Sequence, residues 1–148
     1  MLIRVAAATI AGAIVNFFGG WVIWGILLKS YFDGTMNATA KAMMRPDQNF
    51  VPLILAQIVF AFLFVFIFDR WASIRTFAGG AKAGAILSVL IGLGFDLQMS
   101  AFFVEMHNDS SLMPLIVDLL AGAVMGAIAG GVMGAVLGMM NKQASAAE

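Results

Sequence analysis

Long apolar segments separated by short polar ones dominate the hydrophobic pattern of the chain. Four such segments cover about residues 5–28, 50–68, 79–103 and 115–140. A helix of about 20 residues crosses a hydrocarbon core of roughly 30 Å, so each segment is long enough to span a bilayer. The pattern therefore predicts an all-α fold, a four-helix transmembrane bundle that forms a single membrane domain over residues 1–148.

The polar stretch between the first and second spans, residues 29–49, is the longest connection. Methionines and an alanine at helical spacing give part of it an apolar side. Asp33 is suited to cap a helix there, and Pro46 is suited to end it. We expect a short amphipathic helix over about residues 34–45 that lies in the membrane interface.

Small residues recur at every fourth position in the first, third and fourth spans. Each interior glycine costs a water-soluble helix about 0.5–1 kcal/mol relative to alanine, whereas in a bilayer small residues let helix backbones approach closely. We expect packing stripes on these three helices, with the bulky second span shielding them from lipid. The glycines concerned are Gly12 and Gly20 in the first span, Gly80, Gly84 and Gly92 in the third, and Gly122, Gly126, Gly130, Gly134 and Gly138 in the fourth.

The stripe on the fourth span is wide, because a four-residue step drifts about 40° around a helix. Neighbouring small residues such as Ala123 and Ala127 widen it further. One neighbouring helix covers so broad a surface with difficulty, which favours a homo-oligomer through the fourth helix. In the alternative, the first and third helices cover both flanks of the stripe within one chain.

Polar side chains at membrane depth are the candidate functional residues. Asn16, Gln57, Asp96 and Asp118 lie inside apolar segments, where a charged side chain costs at least ~2.5 kcal/mol on insertion scales. No Lys or Arg is expected at the depth of the two aspartates, so they would share a proton, hold one carboxyl neutral or bind a cation. In the alternative, Asp118 is stabilised by the helix terminus after Pro114, and the other three bridge helices by hydrogen bonds.

Composition places the chain in the membrane and gives little indication of chemistry. Hydrophobic residues make up 62% and charged residues 11%, and the mean hydropathy is +0.99. Cysteine is absent and His107 is the single histidine, so we expect no metal site and no cofactor. The formal net charge of zero gives no reason to expect nucleic acid as a partner. No catalytic motif occurs, so we do not expect an enzyme.

The distribution of basic residues predicts the orientation of the spans. Cytoplasmic loops are enriched in Lys and Arg. The side that holds both termini carries five basic residues and the opposite side three, so we expect both termini in the cytoplasm. The five are Arg4, Arg70, Arg75, Lys82 and Lys142, and the three are Lys29, Lys41 and Arg45.

Three stretches together resemble a group of small four-helix membrane proteins of unknown function from Bacteroidota and related bacteria. They read GGWVIWGILLKSYFDG, RWASIRTFAGGAKAGAILSVLIGLGFDLQMS and IVDLLAGAVMGAIAGGVMGAVLGMMNK, and with the segments between them they cover nearly the whole chain. The resemblance implies a bacterial inner membrane location. It implies no activity and no functional residue.

Two functions are consistent with these patterns. The sequence favours a small membrane protein that acts through helix-mediated association with itself or with a partner in the lipid bilayer. The alternative is a proton- or cation-coupled channel or transporter that uses Asp96 together with Asp118, Gln57 and Asn16.

Overall fold

The computed structural model describes the backbone of residues 2–102, 107 and 112–146, and their side chains as far as residue 141. This part of the chain is helical and contains no strand. Both α1 and α4 end in a π-helical turn, closed by bonds from Leu28 N to Ile23 O and from Ala72 N to Ile67 O. The helices are α1 (Leu2–Val22, continued by the π turn Ile23–Leu27), α2 (Lys29–Thr35), α3 (Ala38–Met43), α4 (Phe50–Phe66, continued by the π turn Ile67–Trp71), α5 (Phe77–Phe102) and α6 (Met113–Ala146).

Four of these helical segments are long and apolar enough to cross a membrane, which confirms the expected all-α fold with four candidate spans. They are Leu2–Leu27, Phe50–Trp71, Phe77–Phe102 and Met113–Asn141, with mean hydropathies between 1.7 and 2.8. Many of their large apolar side chains point outward, as expected for helices that lie in lipid.

The long helices pack in the order α4, α1, α6, α5. Helix α6 lies between α1 and α5, and α1 in turn packs against α4. The hydrophobic core forms where α1, α4 and α6 meet, and it includes the fully buried Ala8, Ala61, Phe68 and Met133. Helix α5 packs mainly on α6, and its residues Ala83, Leu87 and Ile91 pack against the core.

Both chain ends lie at the same end of the bundle. Arg4 in the first turn of α1 bonds to Asn141 near the end of α6 and to Asp69 at the end of α4. At the opposite end, Met36 and His107 form an isolated antiparallel bridge between the α1–α4 and α5–α6 connections. We call these the terminal end and the loop end of the bundle.

The connection between α1 and α4 differs from the single helix expected over residues 34–45. It contains α2 and α3, separated by two extended residues, Met36 and Asn37. Asn37 begins α3, because its Oδ1 accepts a hydrogen bond from Ala40 N at 2.8 Å. Asp33 lies within α2 and pairs with Lys29, so it does not cap the helix. The side chain of Asn37, and not that of Asp33, therefore caps the helix α3.

Candidate functional site

Helices α5 and α6 touch backbone to backbone at two pairs of glycines. A Cβ on Gly80 would lie 2.1 Å from Gly130 O, and a Cβ on Gly84 would lie 2.1 Å from Gly126 O. Even a methyl group would overlap with the neighbouring backbone at these positions, so glycine alone allows this approach.

The same contact continues into the segment that precedes α5. A Cβ on Gly134 would lie 2.5 Å from Thr76 O, and one on Gly138 would lie 2.0 Å from Arg75 O. On the other flank of α6, a Cβ on Gly12 would lie 2.5 Å from the sulfur of Met133. Within this chain, α1 and α5 therefore cover both flanks of α6.

Towards the loop end, the predicted stripe positions have more room. A Cβ on Gly92 would meet only Leu119 Cδ2 at 3.3 Å, and one on Gly122 would meet nothing within 4 Å. A Cβ on Gly20 would meet only the ring of Trp24, in the π turn that continues the same helix, at 4.0 Å. The tight glycine contact thus covers the half of the α5–α6 pair nearer the terminal end, and side chains fit between the helices in the other half.

The two intramembrane aspartates lie in this more open half. Asp96 on α5 is half-buried and interacts electrostatically with Asp118 on α6 and with His107. Trp24, in the π turn that ends α1, donates a hydrogen bond from Nε1 to Asp118 Oδ1 at 2.6 Å. The Oδ2 atom of Asp96 is buried and has no hydrogen-bond partner in the described part of the chain. Two carboxylates and an indole donor therefore form one site, which we call the loop-end site.

The other two predicted residues, Gln57 and Asn16, lie on α4 and α1. Gln57 on α4 lines an apolar groove between α1 and α4, beside Ile10, Ile14 and Phe17. Asn16 is half-buried on α1. Because α4 packs on α1 while Asp96 lies on α5, Gln57 is not part of the loop-end site.

A second polar cluster lies at the terminal end and was not predicted as a site. The Asp69 side chain is 1% exposed and pairs with Arg75 Nη1 at 2.7 Å and with Arg4 Nη2 at 3.1 Å. Arg4 Nη1 donates to Asn141 Oδ1 at 3.0 Å. The cluster joins α1, α4, α6 and the α4–α5 connection.

The sequence contained a signal for this cluster. Asp69 is an acidic residue at the end of an otherwise apolar span, and Arg4 and Arg75 are expected at the same depth. Paired charges at matching depth in neighbouring spans commonly form ion pairs. Moreover, Trp24 and Asp69 both lie in π-helical turns, a distortion that often occurs at functional sites.

These features define the class as an all-α protein with four candidate membrane-spanning helices and a polar cluster at each end. No family model, curated protein or solved structure matches the chain. The resemblance to a bacterial family therefore stays a prediction. Among the described residues, no group of three or more His, Cys, Asp or Glu side chains is placed to hold a metal ion.

Proposed function

We propose that the chain is a small multi-pass protein of a bacterial inner membrane, with both termini in the cytoplasm. We further propose that it transports a proton or a monovalent cation, which its loop-end site takes up. One observation carries the proposal: Asp96 and Asp118 interact on adjacent apolar helices, with Asp96 Oδ2 buried and without a hydrogen-bond partner among the described residues. An ionisable residue in a membrane span is by default a candidate for an ion or proton pathway.

The charge balance of the site supports this proposal. None of the described Lys or Arg side chains forms an ion pair with Asp96 or Asp118, and the indole of Trp24 is a neutral donor. Two adjacent carboxylates repel each other when both are ionised, so uptake of a proton or cation relieves the repulsion.

The glycine contact explains how the two helices could hold such a site. Backbone contact at Gly80, Gly84, Gly126 and Gly130 fixes α5 against α6 near the terminal end. The open space at Gly122 leaves room for polar side chains towards the loop end. We propose that the close packing serves to position the two aspartates.

Proton and cation flux in proteoliposomes tests the proposal. We expect the unmodified protein to dissipate an imposed proton or sodium gradient, and Asp96→Asn and Asp118→Asn to abolish the flux. Asp33→Asn is the matched control, because it also removes one carboxylate but lies in an exposed pair with Lys29. Absence of flux in the unmodified protein, or full flux in Asp96→Asn, would remove the transport proposal.

Association through the fourth helix stays a prediction, and this geometry does not favour it. Gly126, Gly130 and Gly134, which were expected to form the interface, face α5 or the segment before it in the same chain. A second copy would have to contact exposed α6 residues such as Leu120, Val124 and Ile128. Native sizing in detergent tests this, because Val124→Trp should dissociate an oligomer formed there.

A further inference from the structure

The cluster around Asp69 contains more positive than negative charge. Arg4 and Arg75 both pair with one carboxylate, and Arg70 is exposed beside it. Two guanidinium groups therefore pair with a single carboxylate at the terminal end of the bundle. The arginines that contact Asp69 are only 22% and 25% exposed, so the protein holds their positively charged groups in fixed positions.

Both arginines keep hydrogen-bonding capacity beyond these contacts. Each terminal nitrogen of a guanidinium carries two N–H groups. Arg4 directs Nη1 to Asn141 and Nη2 to Asp69, and Arg75 directs Nη1 to the Asp69 carboxylate and Nη2 to the Asp69 backbone carbonyl. Arg75 Nη1 is buried, and Arg4 Nη2 contacts both carboxylate oxygens of Asp69. Arg4 Nη1 and Arg75 Nη2 each make one hydrogen bond, so each has a second N–H group that an anion at the surface of the bundle can accept from.

The position of the cluster indicates which anion fits. Arg4 lies in the first turn of one candidate span, and Arg75 lies just before the start of another, where helices reach the lipid headgroups. Lys82, about one and a half turns into α5, is exposed and adds positive charge near this surface. The planar guanidinium matches phosphate geometry, and basic pockets between membrane helices bind anionic headgroups.

We propose that Arg4 and Arg75, held in place by Asp69, form a binding site for the phosphate group of an anionic phospholipid. Asp69 orients the two guanidiniums and offsets only one of their charges. A zwitterionic headgroup carries its own cation, so the uncompensated positive charge favours an anionic lipid. This site lies at the terminal end of the bundle and does not depend on the proposed function of the loop-end site.

Native mass spectrometry of the full-length protein in detergent, with phosphatidylglycerol added, tests the site. We expect Arg4→Gln and Arg75→Gln each to weaken phosphatidylglycerol binding about tenfold, through loss of a charge-assisted hydrogen bond. Arg70→Gln and Lys82→Gln are the matched controls, because they remove the same charge from exposed residues that do not pair with Asp69 in the structure. We expect these controls to change binding less than about twofold.

Two lysine variants distinguish lipid binding from loss of the fold. Arg4→Lys and Arg75→Lys keep the charge beside Asp69 and remove the planar fork, so we expect weaker lipid binding with little change in the melting temperature. Equal weakening in all four glutamine variants would show a diffuse basic surface and overturn the proposal. Equal binding of phosphatidylcholine, or displacement of the lipid by millimolar inorganic phosphate, would overturn it as well.

Discussion

At the scale of single residues, Asp69 shows how the chain accommodates charge at the end of an apolar span. Its side chain is 1% exposed and has Arg4 and Arg75 as partners, while its backbone lies in the π turn that ends α4. A buried carboxylate is tolerated only when it is paired, and removing one member of a buried ion pair leaves the other uncompensated. Asp69 therefore connects α1, α4 and the α4–α5 connection through charge.

Asp69→Asn should lower the free energy of unfolding by about 2 kcal/mol. This is below the ~3–5 kcal/mol typical of a fully buried pair, because water reaches part of both arginines. Asp33→Asn should change stability by less than about 0.5 kcal/mol, because the Lys29–Asp33 pair is exposed. Unfolding by sodium dodecyl sulfate in mixed micelles measures both, and equal effects would contradict the role given to Asp69.

Trp24 should report on the carboxylate of Asp118, because its indole N–H donates to that side chain. In a variant with Trp21→Phe and Trp71→Phe, adding Asp118→Leu should shift the fluorescence emission of Trp24, because the indole loses its hydrogen-bond acceptor. Adding Asp33→Leu instead should leave the emission unchanged, because Asp33 pairs with Lys29. The same emission with and without Asp118→Leu would contradict the hydrogen bond.

At the scale of elements, the α5–α6 pair shows that glycines of one series have different roles. Gly130 faces the backbone of Gly80, whereas Gly122, two turns earlier on the same helix, faces open space. The four-residue period is the same for both, but the two helices are in tight contact over only part of their length. A substitution should therefore have opposite effects at the two positions.

Gly130→Ala should destabilise the protein by about 1–3 kcal/mol, because its new Cβ would lie 2.3 Å from Gly80 O. Gly122→Ala should be neutral or stabilise by up to about 1 kcal/mol, because alanine is the better helix former and has room. Thermal unfolding in one detergent compares the two variants. Similar losses of stability in the two variants would contradict the difference in the space around Gly130 and Gly122.

Hydrophobic periodicity is sufficient to predict the four long helices, because a span of about 20 apolar residues has few alternatives. It cannot predict which glycines meet a neighbour, since Gly122 and Gly126 belong to the same four-residue series, yet only a Cβ on Gly126 would overlap with α5. The pairing of Asp96 with Asp118 follows from matching depth in sequence. Matching depth also places Arg4 near Asp69, but only the structure shows that Arg4, Arg75 and Asn141 meet in one cluster with Asp69.

At the scale of the whole molecule, the two polar clusters lie at opposite ends of the four candidate spans. Arg4, Asp69, Arg75 and Asn141 mark one end, and the bridge between Met36 and His107 marks the other. The side with more basic residues is the terminal end, so the positive-inside rule favours its placement in the cytoplasm.

Cysteine labelling tests this orientation, because the chain contains no cysteine of its own. A membrane-impermeant maleimide should label Ala42→Cys, an exposed residue of α3, in bacterial cells whose outer membrane alone is permeabilised. Ala72→Cys, exposed after α4, should react only once the inner membrane is opened. The reverse pattern would invert the orientation, and labelling of both from outside would contradict an α4 that spans the membrane.

Infrared difference spectroscopy of the reconstituted protein tests most directly whether Asp96 and Asp118 form a site for a proton or cation. We predict a carboxyl signal that changes on pH titration or on addition of sodium or potassium. Asp96→Asn should remove the signal, and Asp33→Asn should leave it intact. Identical spectra for the unmodified protein and Asp96→Asn under every titration would contradict a shared carboxylate site.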